Sequence, residues 1–382
     1  MAKLGELGKI ITGNTPKTSD AQNYRSNDIC FVKPSDFTDN EITEIHQSEF
    51  YISEYAKDKA RVLPTDSILV TCIGIIGKVA INKVPCAFNQ QINAIIPERK
   101  ICDPRYVAYA IQNVQPQMQN TANAAVVPIL NKTQFSNIEI PLPSLETQKQ
   151  IVEFLDKVTS LISLRKQQLA KLDELVKARF VEMFGDPVSN PLHWKKVKLS
   201  ELADIKIGPF GSLLHKEDYV TGGHPLVNPS HIINGKIIVD DDLTLTEGKY
   251  FELSAYRLKK NDVVLGRRGE MGRCAVVDEE GLLCGTGSLL IRTNGTVTAD
   301  YIQKIISFPT FKKTIEDMAV GQTMPNLNVP IVSNFMIIVP PLSVQKDYYD
   351  FVECVDQQKQ TVQQSLEKLE LMKKALMQEY FG

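Results

Sequence analysis

Three arginines stand close together in one glycine-bounded turn of this sequence. Residues 266–273 read GRRGEMGR and lie between two short runs of β-forming residues. A turn of this kind lets guanidinium groups reach phosphates, or the guanine edge in the major groove of DNA. The alternative is a solvated turn in which Glu270 pairs with a neighbouring arginine, and both interpretations stay open. The candidate DNA ligands in this turn are Arg267, Arg268 and Arg273.

Patterns typical of catalysis are incomplete or missing. Residues 74–78 have two residues between their glycines where a phosphate-binding loop has four, so a hairpin turn is predicted there. Residues 228–231, Asn-Pro-Ser-His, lack the second proline and the aromatic residue of the loop found in amino-methyltransferases. The five histidines form no closely spaced ligand pair. We therefore predict no catalytic residue, no metal site and no cofactor.

The composition restricts both partners and compartment. Lys and Arg number 43 against 45 Asp and Glu, so a nucleic-acid site would be a local patch or would depend on a basic partner. The seven cysteines are scattered without a C-x-x-C pair, which favours reduced thiols. No apolar run reaches 18 residues and no signal peptide is seen at the first residues. We expect a soluble, cytoplasmic protein that does not contact membranes.

Two stretches of about 40 residues without Pro or Gly indicate two long helices. Residues 141–185 and 339–382 each begin with prolines and end in Phe-Gly, which are start and stop signals for a helix. Their apolar residues alternate steps of three and four, and such a seam requires a partner helix. The alternative is two unrelated amphipathic helices on separate cores. The predicted pairing positions are Ile151, Leu155, Val158, Ile162, Leu169, Leu172, Val355, Val362, Leu366 and Leu369.

The two helices belong to an internal duplication of the whole chain. Pro143 and Pro340 are 197 residues apart, and the other matching helix residues keep this offset. Upstream, residues 3–7 match 198–202 at an offset of 195. The chain is therefore organised as domain, helix, domain, helix, with only two copies.

The duplication adds candidates in the first half. Lys78 ends the turn that corresponds to the arginine turn, and the amides of Asn89 and Gln90 could read adenine edges. The equally open alternative is that these amides are buried and cap strand ends. Further candidates lie in a repeated Pro-Ser segment: Lys33, Ser35 and Ser230. If these positions contact DNA, the two halves recognise different sequences, because their residues differ.

Each half is predicted to be a mixed α+β domain of about 140 residues. Glycine turns join short β-rich runs into hairpins, a third strand follows, and a helix entered through Asp comes next. The predicted strands are residues 67–72, 79–81 and 91–96 in the first half and 262–265, 274–277 and 288–291 in the second. The predicted helices are residues 103–112 and 299–307.

These features, in this order, resemble the specificity subunit of type I restriction–modification systems. The motifs that carry the resemblance are Leu130-Asn131 before residues 141–151, residues 324–328 before 340–346, residues 180–187 with Trp194 downstream, and the Asp-led strand and glycine turn at 66–78 and 262–273. The resemblance covers essentially the whole chain. Each motif is modest, but their order and duplication are specific.

The resemblance implies an α+β fold of two tandem target recognition domains, joined by two long helices that form an antiparallel coiled coil with internal pseudo-twofold symmetry. The implied domains are residues 1–142 and 186–339, with a central helix at 143–185 and a C-terminal helix at 340–382. Such a subunit has no catalytic activity. Each recognition domain contacts one half of a bipartite site in double-stranded DNA, and the paired helices set the unread gap. It binds two methyltransferase subunits and associates with endonuclease subunits that translocate DNA.

Two other classes of protein are considered as alternatives. A coiled-coil scaffold that does not contact DNA would share the helices and the duplication. The recognition half of a methyltransferase–endonuclease would share the domains, but a complete enzyme needs a cofactor loop and a catalytic motif that these 382 residues lack.

Overall fold

The structure is a computed structural model that describes residues 1–122, 127–319 and 326–382. The chain divides into two compact units, Met1–Gln168 with Thr361–Gly382, and Leu169–Gln360. Each unit therefore contains one β-rich region and one part of each long helix. Met324 and Pro325, which belong to the second copy of the repeated motif, lie outside the described residues.

The first unit contains eleven strands and three short α-helices among its described residues. The strands are β1 Ala2–Lys3, β2 Gly8–Thr12, β3 Ile29–Val32, β4 Thr43–Ile45, β5 Tyr51–Ile52, β6 Val62–Leu63, β7 Ile68–Thr71, β8 Val79–Asn82, β9 Cys86–Phe88, β10 Ile92–Pro97 and β11 Glu139–Ile140. The helices are α1 Pro104–Asn113, α2 Gln115–Thr121 and α3 Lys132–Ser136. The long helix α4, Leu145–Phe184, begins in this unit.

The second unit repeats this arrangement. Its strands are β12 Lys196–Lys198, β13 Ala203–Ile207, β14 Tyr219–Val220, β15 His224–Val227, β16 Ile232–Ile233, β17 Lys236–Ile237, β18 Thr244–Leu245, β19 Asp262–Gly266, β20 Cys274–Val276, β21 Leu283–Cys284, β22 Ser288–Thr293 and β23 Met336–Ile338. Its helices are α5 Leu199–Leu202, α6 Glu247–Glu252, α7 Ala299–Ile306, α8 Pro309–Met318 and α9 Val329–Ser333, and it contains the start of α10 Leu342–Phe381.

The core strands of the sheets match between the two units, while the edge strands β4, β6 and β14 have no counterpart strand in the other unit's sheet. The main sheets have the orders β2–β10–β7–β8–β4 and β13–β22–β19–β20, and the second sheets β5–β3–β9–β6 and β14–β18–β15–β21. The predicted hairpins are β7–β8 and β19–β20, both antiparallel. In each second sheet one pair is parallel, β3 with β9 and β15 with β21. The predicted α+β class and the duplication are therefore confirmed at the level of strand order.

This topology brings the ends of several strands to one edge. Ile92, at the start of β10, pairs with Thr71 at the end of β7 and accepts a hydrogen bond from the N–H of Gly13 just after β2. Since β3 and β9 are parallel, their last residues Val32 and Phe88 also lie side by side. The segments that follow β2, β3, β7 and β9 consequently meet. The same holds after β13, β15, β19 and β21.

The long helices run antiparallel within each unit. In the first, the guanidinium of Arg165 in the middle of α4 donates to the hydroxyl of Ser365 in α10 at 3.3 Å. Ile151, about two turns after the start of α4, shares a hydrophobic cluster with Phe381 at the end of α10. In the second unit, the end of α4 and the start of α10 are also antiparallel, and an ion pair joins them. Both helices have 40 residues, as expected from the Pro and Gly signals.

In the second unit the ammonium of Lys359 lies 2.7 Å from the Asp173 carboxylate. The hydroxyl of Tyr348, nearer the start of α10, donates to the Val176 carbonyl at 3.4 Å. Sequence order therefore rises along one helix as it falls along the other. α4 ends at Phe184, and Gly185 follows with φ of +74°, the left-handed cap that glycine favours.

Most of the predicted pairing residues face inward. The buried ones are Ile151, Leu155, Val158, Ile162, Val355, Val362 and Leu366, and the half-buried ones are Leu169, Leu172 and Leu369. Ile151 and Leu155 also belong to the core of the first β-rich region, and Val355 belongs to that of the second. Apolar residues at the ends of the seam therefore pack both against the partner helix and against a β-rich region.

An aromatic cluster fixes the helices to the second β-rich region. The rings of Phe180 and Phe184 both contact Tyr348 edge-on, at centroid distances of 5.5 Å and 5.3 Å. Phe184 also contacts Tyr301 of α7 at 5.2 Å. All four side chains are almost completely buried, so α4, α10 and α7 share one core.

The repeated glutamine of the Pro-rich motif has a structural role. In the first half, the Gln148 side chain accepts from the Asp103 N–H at 2.9 Å and donates to the Pro143 carbonyl at 2.8 Å. In the second half, Gln345 accepts from the Thr298 N–H at 3.1 Å and donates to the Pro340 carbonyl at 2.9 Å. Each glutamine is completely buried and joins a long helix to the start of a domain helix.

Gln345→Leu is expected to lower the free energy of unfolding by about 2–4 kcal/mol, because it leaves the Thr298 N–H and the Pro340 carbonyl without their partner. Urea denaturation followed by circular dichroism measures the change. The matched control is Lys346→Leu at an exposed neighbouring position, where a change within about 0.5 kcal/mol is expected. Equal stability of Gln345→Leu and the control would contradict the assigned role.

One expectation about the short helices needs correction. The second domain helix is not entered through Asp: Thr298 caps α7 and its hydroxyl accepts from the Tyr301 N–H, while Asp300 lies in the first turn. The helices α2 and α8 were also not predicted. Within the described ranges, no helix combines the length and apolar composition needed to cross a lipid bilayer.

Candidate nucleic-acid interface

The four loops that meet at the end of each β-structure form what we call the loop edge. In the first half it comprises residues 13–15, 33–35, 72–78 and 89–91, and in the second 208–210, 228–230, 267–273 and 285–287. All nine predicted DNA-contacting residues lie in these loops, and two of them, Ser35 and Ser230, lie in short turns. These turns, Pro34–Asp36 and Pro229–His231, are both 3₁₀ helices that directly follow β3 and β15.

The same backbone hydrogen bonds hold both loop edges. The Cys72 N–H donates to the Gln91 carbonyl at 2.7 Å, and the Leu130 N–H donates to the Cys72 carbonyl at 2.9 Å. The second half repeats both bonds at the aligned positions, from Arg267 to Gly287 at 2.9 Å and from Leu327 to Arg267 at 3.0 Å. The repeated Leu-Asn motif is therefore structural: its leucine anchors the glycine turn.

Two glycines shape each turn. Gly74 and Gly77 have φ of +77° and +86°, and Gly269 and Gly272 have +81° and +75°. Residues with a side chain seldom adopt such angles, so the repeated spacing is explained by backbone geometry. The turns are hairpin connections, as predicted, and not phosphate-binding loops.

Arg267 is engaged inside the protein. Its Nε donates to the Leu327 carbonyl at 2.9 Å, and a terminal nitrogen donates to the Thr286 carbonyl at 3.4 Å. Burial, with a smaller effect of the neighbouring Arg268, lowers the pKa of this guanidinium. In the first half the aligned residue is Cys72. Its thiol is buried, and this burial raises the pKa of the thiol to about 12. The main contacts of the Arg267 side chain are therefore with the backbone of its own loop edge, which it holds in place.

Arg268 has the opposite environment. Its side chain is exposed, and within the described residues it has no hydrogen bond and no ion pair. It sits just before Gly269 at the tip of the turn. A guanidinium in this position can approach a base edge or a phosphate without first breaking an internal contact.

Arg273 takes part in an internal ion network. It donates to the Pro229 carbonyl at 3.1 Å and lies 3.1 Å from the Glu270 carboxylate. The ammonium of Lys312 is 2.7 Å from the same carboxylate, and the two cations hold the pKa of Glu270 below its ordinary value, with Lys312 contributing most. The pairing of Glu270 with an arginine, which the sequence left open, is thus present for Arg273.

In the first half, Lys78 and Asn89 are also committed to internal contacts. The Lys78 side chain is 14% exposed and its ammonium is 2.6 Å from the Asp39 carboxylate. Asn89 is buried, and its side chain bonds to the backbone and side chain of Gln91. For Asn89 the structure agrees with the alternative of a buried amide at a strand end.

Gln90 is exposed and its amide is held in place. The Thr15 hydroxyl donates to its side-chain oxygen at 2.7 Å, and its amide nitrogen makes no hydrogen bond to any described residue. A glutamine fixed through its oxygen presents two N–H donors. Such donors match the acceptor atoms of a base edge.

The remaining predicted ligands lie on the repeated Pro-Ser turns. The Lys33 ammonium lies 3.1 Å from the centre of the Phe50 ring, a cation–π contact that restricts its direction. The exposed Ser35 hydroxyl donates to the Glu49 carboxylate at 3.3 Å. Ser230 is exposed beside Pro229.

Three further exposed residues on the loop edges were not predicted. Ile75 at the tip of the first turn is 59% exposed, and Phe210 in the second half is 58% exposed. Thr15 pairs with Gln90 as described above. The sequence contains Ile75 within the glycine turn, but only exposure distinguishes it from the buried Ile76. An exposed apolar side chain can contact a thymine methyl group.

Comparison with known proteins relates this chain to the specificity subunits of type I restriction enzymes. A family model described as the type I restriction modification DNA specificity domain matches residues 1–174 and 191–371. The type I restriction enzyme MjaIX specificity subunit of Methanocaldococcus jannaschii is 24% identical over 376 residues, covering 92% of this chain and 85% of the relative. The EcoR124I/EcoR124II specificity subunit of Escherichia coli is 32% identical over 181 residues, covering 45% and 44%.

Solved structures share the fold. The S subunit of a type I restriction–modification system from M. genitalium aligns with a TM-score of 0.57 and 14% identity, over 100% of this chain and 95% of that one. A chain from a study of complex assembly and conformational transition in the type I system aligns with a TM-score of 0.65 and 16% identity, over 99% and 96%.

Proposed function

Because this chain belongs to the type I restriction–modification DNA specificity family, we propose that it is the non-catalytic subunit that directs a restriction–modification complex to its DNA target. The family model matches it twice, once for each half of the chain. Each half would contact one part of a bipartite site. The recognition domains would comprise residues 1–142 and 186–339, and the helices residues 143–185 and 340–382.

The observation that carries this proposal is a constant scaffold with different exposed side chains. The backbone bonds of Cys72 in the first half are repeated by Arg267 in the second, so the turns occupy equivalent places. The exposed tips differ: the exposed Ile75 aligns with Glu270, and the exposed Arg268 aligns with Ile73. A pair of domains that must recognise two different sequences requires this combination.

The two halves are suited to different bases. In the second half, Arg268 can bond to guanine through two parallel hydrogen bonds. In the first half, Gln90 and Ile75 suit an adenine edge and a thymine methyl group. Lys33, Ser35 and Ser230 would contact the flanking backbone, while Arg267, Arg273, Lys78 and Asn89 would hold the loops in place.

The paired helices would separate the half-sites and bind partner subunits. The seam fixes the helices side by side, and each also packs into a β-rich region, as Phe184 does against Tyr301. A packed rod of this kind suits a spacer of defined length. The proposed partners are double-stranded DNA, two methyltransferase subunits and the endonuclease subunits that translocate DNA.

We place this activity in the cytoplasm. All seven cysteines are free thiols, and six of them are buried. Unpaired thiols are typical of a reducing compartment, and a restriction–modification complex acts where the DNA is.

The proposal is tested by co-expressing the chain with the methyltransferase subunit of the same system and selecting bound duplexes from a random library. The expected result is a motif of two short sequences separated by a fixed gap of unselected bases. A complex that assembles but enriches no motif would contradict the proposal, and would favour the coiled-coil scaffold without DNA recognition.

A further inference from the structure

A pocket of about 350 Å³ opens beside the loop edge of the first half. Three of the four loops of that edge contribute to it, through Thr15, Lys33, Asn89 and Gln91. The other walls are mainly aromatic and include Phe31, Phe50 and Tyr51. Small-ligand pockets span roughly 300–1,000 Å³, so a pocket at the lower end of this range suits a single planar ring system.

The pocket has a closed floor and an open rim. Phe31 is 2% exposed and Asn89 is 7% exposed, whereas Phe50 at the rim is 39% exposed. The Thr15 hydroxyl, also at the rim, donates to the side chain of Gln90, the proposed base contact. The pocket therefore lies next to the place where the first half would meet the bases of its half-site.

An ammonium group lies on the aromatic ring at the rim. The Lys33 ammonium is 3.1 Å from the centre of the Phe50 ring and 5.9 Å from the centre of the Phe31 ring. Among the described residues it has no ion pair and no hydrogen bond. An exposed cation–π contact is weak, so a nucleobase can replace the ammonium on the Phe50 ring. The displaced ammonium can then bind the phosphate of the same nucleotide.

The polar groups of the pocket supply hydrogen-bond donors. The side-chain oxygen of Gln91 accepts from the Asn89 amide at 2.8 Å, which leaves the Gln91 amide nitrogen as the group available to a ligand. This nitrogen and the Tyr51 hydroxyl have no hydrogen-bond partner within the described ranges. Such donors match ring carbonyl oxygens, which thymine and guanine have and adenine lacks.

The fold does not require the aromatic walls. The Phe31 N–H donates to the Phe50 carbonyl at 2.9 Å, and in the second half the Leu226 N–H donates to the Leu243 carbonyl at 3.1 Å. These equivalent backbone bonds place a leucine at both aromatic positions. The position of the lysine is taken by Asn228. The aromatic pocket is therefore an added feature of the first half.

We propose that this pocket receives one base everted from the first half-site, a base with ring carbonyl oxygens that stacks on Phe50 and accepts from the Gln91 amide. The inference rests on the proposed function and adds a local opening of the duplex to it. Eversion breaks one base pair and its stacking, and stacking on an aromatic ring offsets this cost. The second half, which lacks the rings, would hold its half-site fully paired.

The test uses the complex of the chain with its methyltransferase subunits and the duplex motif selected above. At each position of the first half-site, one duplex carries a mismatch that keeps the candidate base, and another carries an abasic nucleotide in place of that base. Both changes lower the cost of opening the pair, but only the mismatch supplies a ring for the pocket. At one position, the wild-type complex should bind the mismatched duplex about tenfold more tightly than either the abasic or the fully paired duplex. Thymine at that position should be bound more tightly than adenine.

Phe50→Leu, which introduces the side chain found at this position in the second half, should remove both differences. It should keep the wild-type affinity for the abasic duplex, which shows that the variant is folded and assembled. The matched control is Tyr55→Leu. Tyr55 is another exposed ring with an ammonium, that of Lys59, 3.7 Å from its centre, and it lies outside both the pocket and the loop edge. This control should bind all three duplexes as the wild type does.

Two results would overturn the inference. If the wild-type complex binds mismatched and abasic duplexes equally at every position, the site is merely deformable and captures no base. If Phe50→Leu retains the preference for the mismatched duplex, the everted base is held elsewhere, as in a methyltransferase subunit. A wild-type complex that enriches no motif would instead reject the proposed function.

Discussion

Adding seven residues to each long helix is expected to shift methylation to targets whose half-sites lie about three base pairs farther apart. Seven residues lengthen a helix by about 10 Å at 1.5 Å per residue, and base pairs stack about 3.4 Å apart. A heptad preserves the phase of an apolar seam. The insertions belong between Gln168 and Leu169 and between Gln360 and Thr361, so that both seams lengthen together.

Genome-wide mapping of methylated bases in cells that express the lengthened chain with its methyltransferase measures the result. The two half-site sequences should stay unchanged, because the loop edges are not altered. An insertion in α4 alone is the control: it lengthens one helix of the pair without its partner and should abolish methylation. Methylation by the doubly lengthened chain at the original gap would contradict the spacer role.

The regular elements of the fold were predictable because their signals are local. Each hairpin combines β-forming residues with a pair of glycines, and both ends of β7 and of β19 lie within one residue of the expected bounds. The long helices have Pro and Gly at their ends and no interruption between. The two-residue strands such as β5 and β14 are different: two residues have no periodicity, and only partner strands define them.

The helix α8 illustrates a missed local signal. Pro309 stands at its first position, and Phe311 and Ile315, four residues apart, are buried on one face. The pattern is present but short, since α8 has only ten residues. Lys312 on the same helix then proved to reach Glu270, which no local pattern indicates.

The candidate interface was predictable in position but not in the state of each side chain. The duplication aligned the turns correctly, because both halves repeat the same backbone bonds. Adjacent residues nevertheless have different environments, as Arg267 is tied to Leu327 while Arg268 is exposed. The direction of a side chain in a turn depends on its dihedral angles and on acceptor groups that are distant in the sequence. For Arg267 the acceptor is the carbonyl of Leu327, 60 residues away, and no local sequence pattern indicates this contact.

Arg268→Ala is expected to relax recognition at one base pair of the second half-site, with a loss of discrimination of about 1–3 kcal/mol, and to leave the first half-site unaffected. Its stability should match that of the wild-type protein, because the side chain makes no described internal contact. Arg267→Ala should behave differently. It removes the bonds to the Leu327 and Thr286 carbonyls, so a loss of stability of about 1–3 kcal/mol is expected.

Comparing the two variants separates contact with DNA from support of the loop. Methylation rates on duplexes altered at each position of the second half-site give the discrimination, and urea denaturation gives the stability. Arg268→Lys is the most informative control, because it keeps the charge and loses the paired hydrogen bonds: affinity should be largely retained while discrimination falls. Native discrimination by Arg268→Ala at every position would remove this residue from the interface and leave the recognition of the second half-site to other residues of its loop edge.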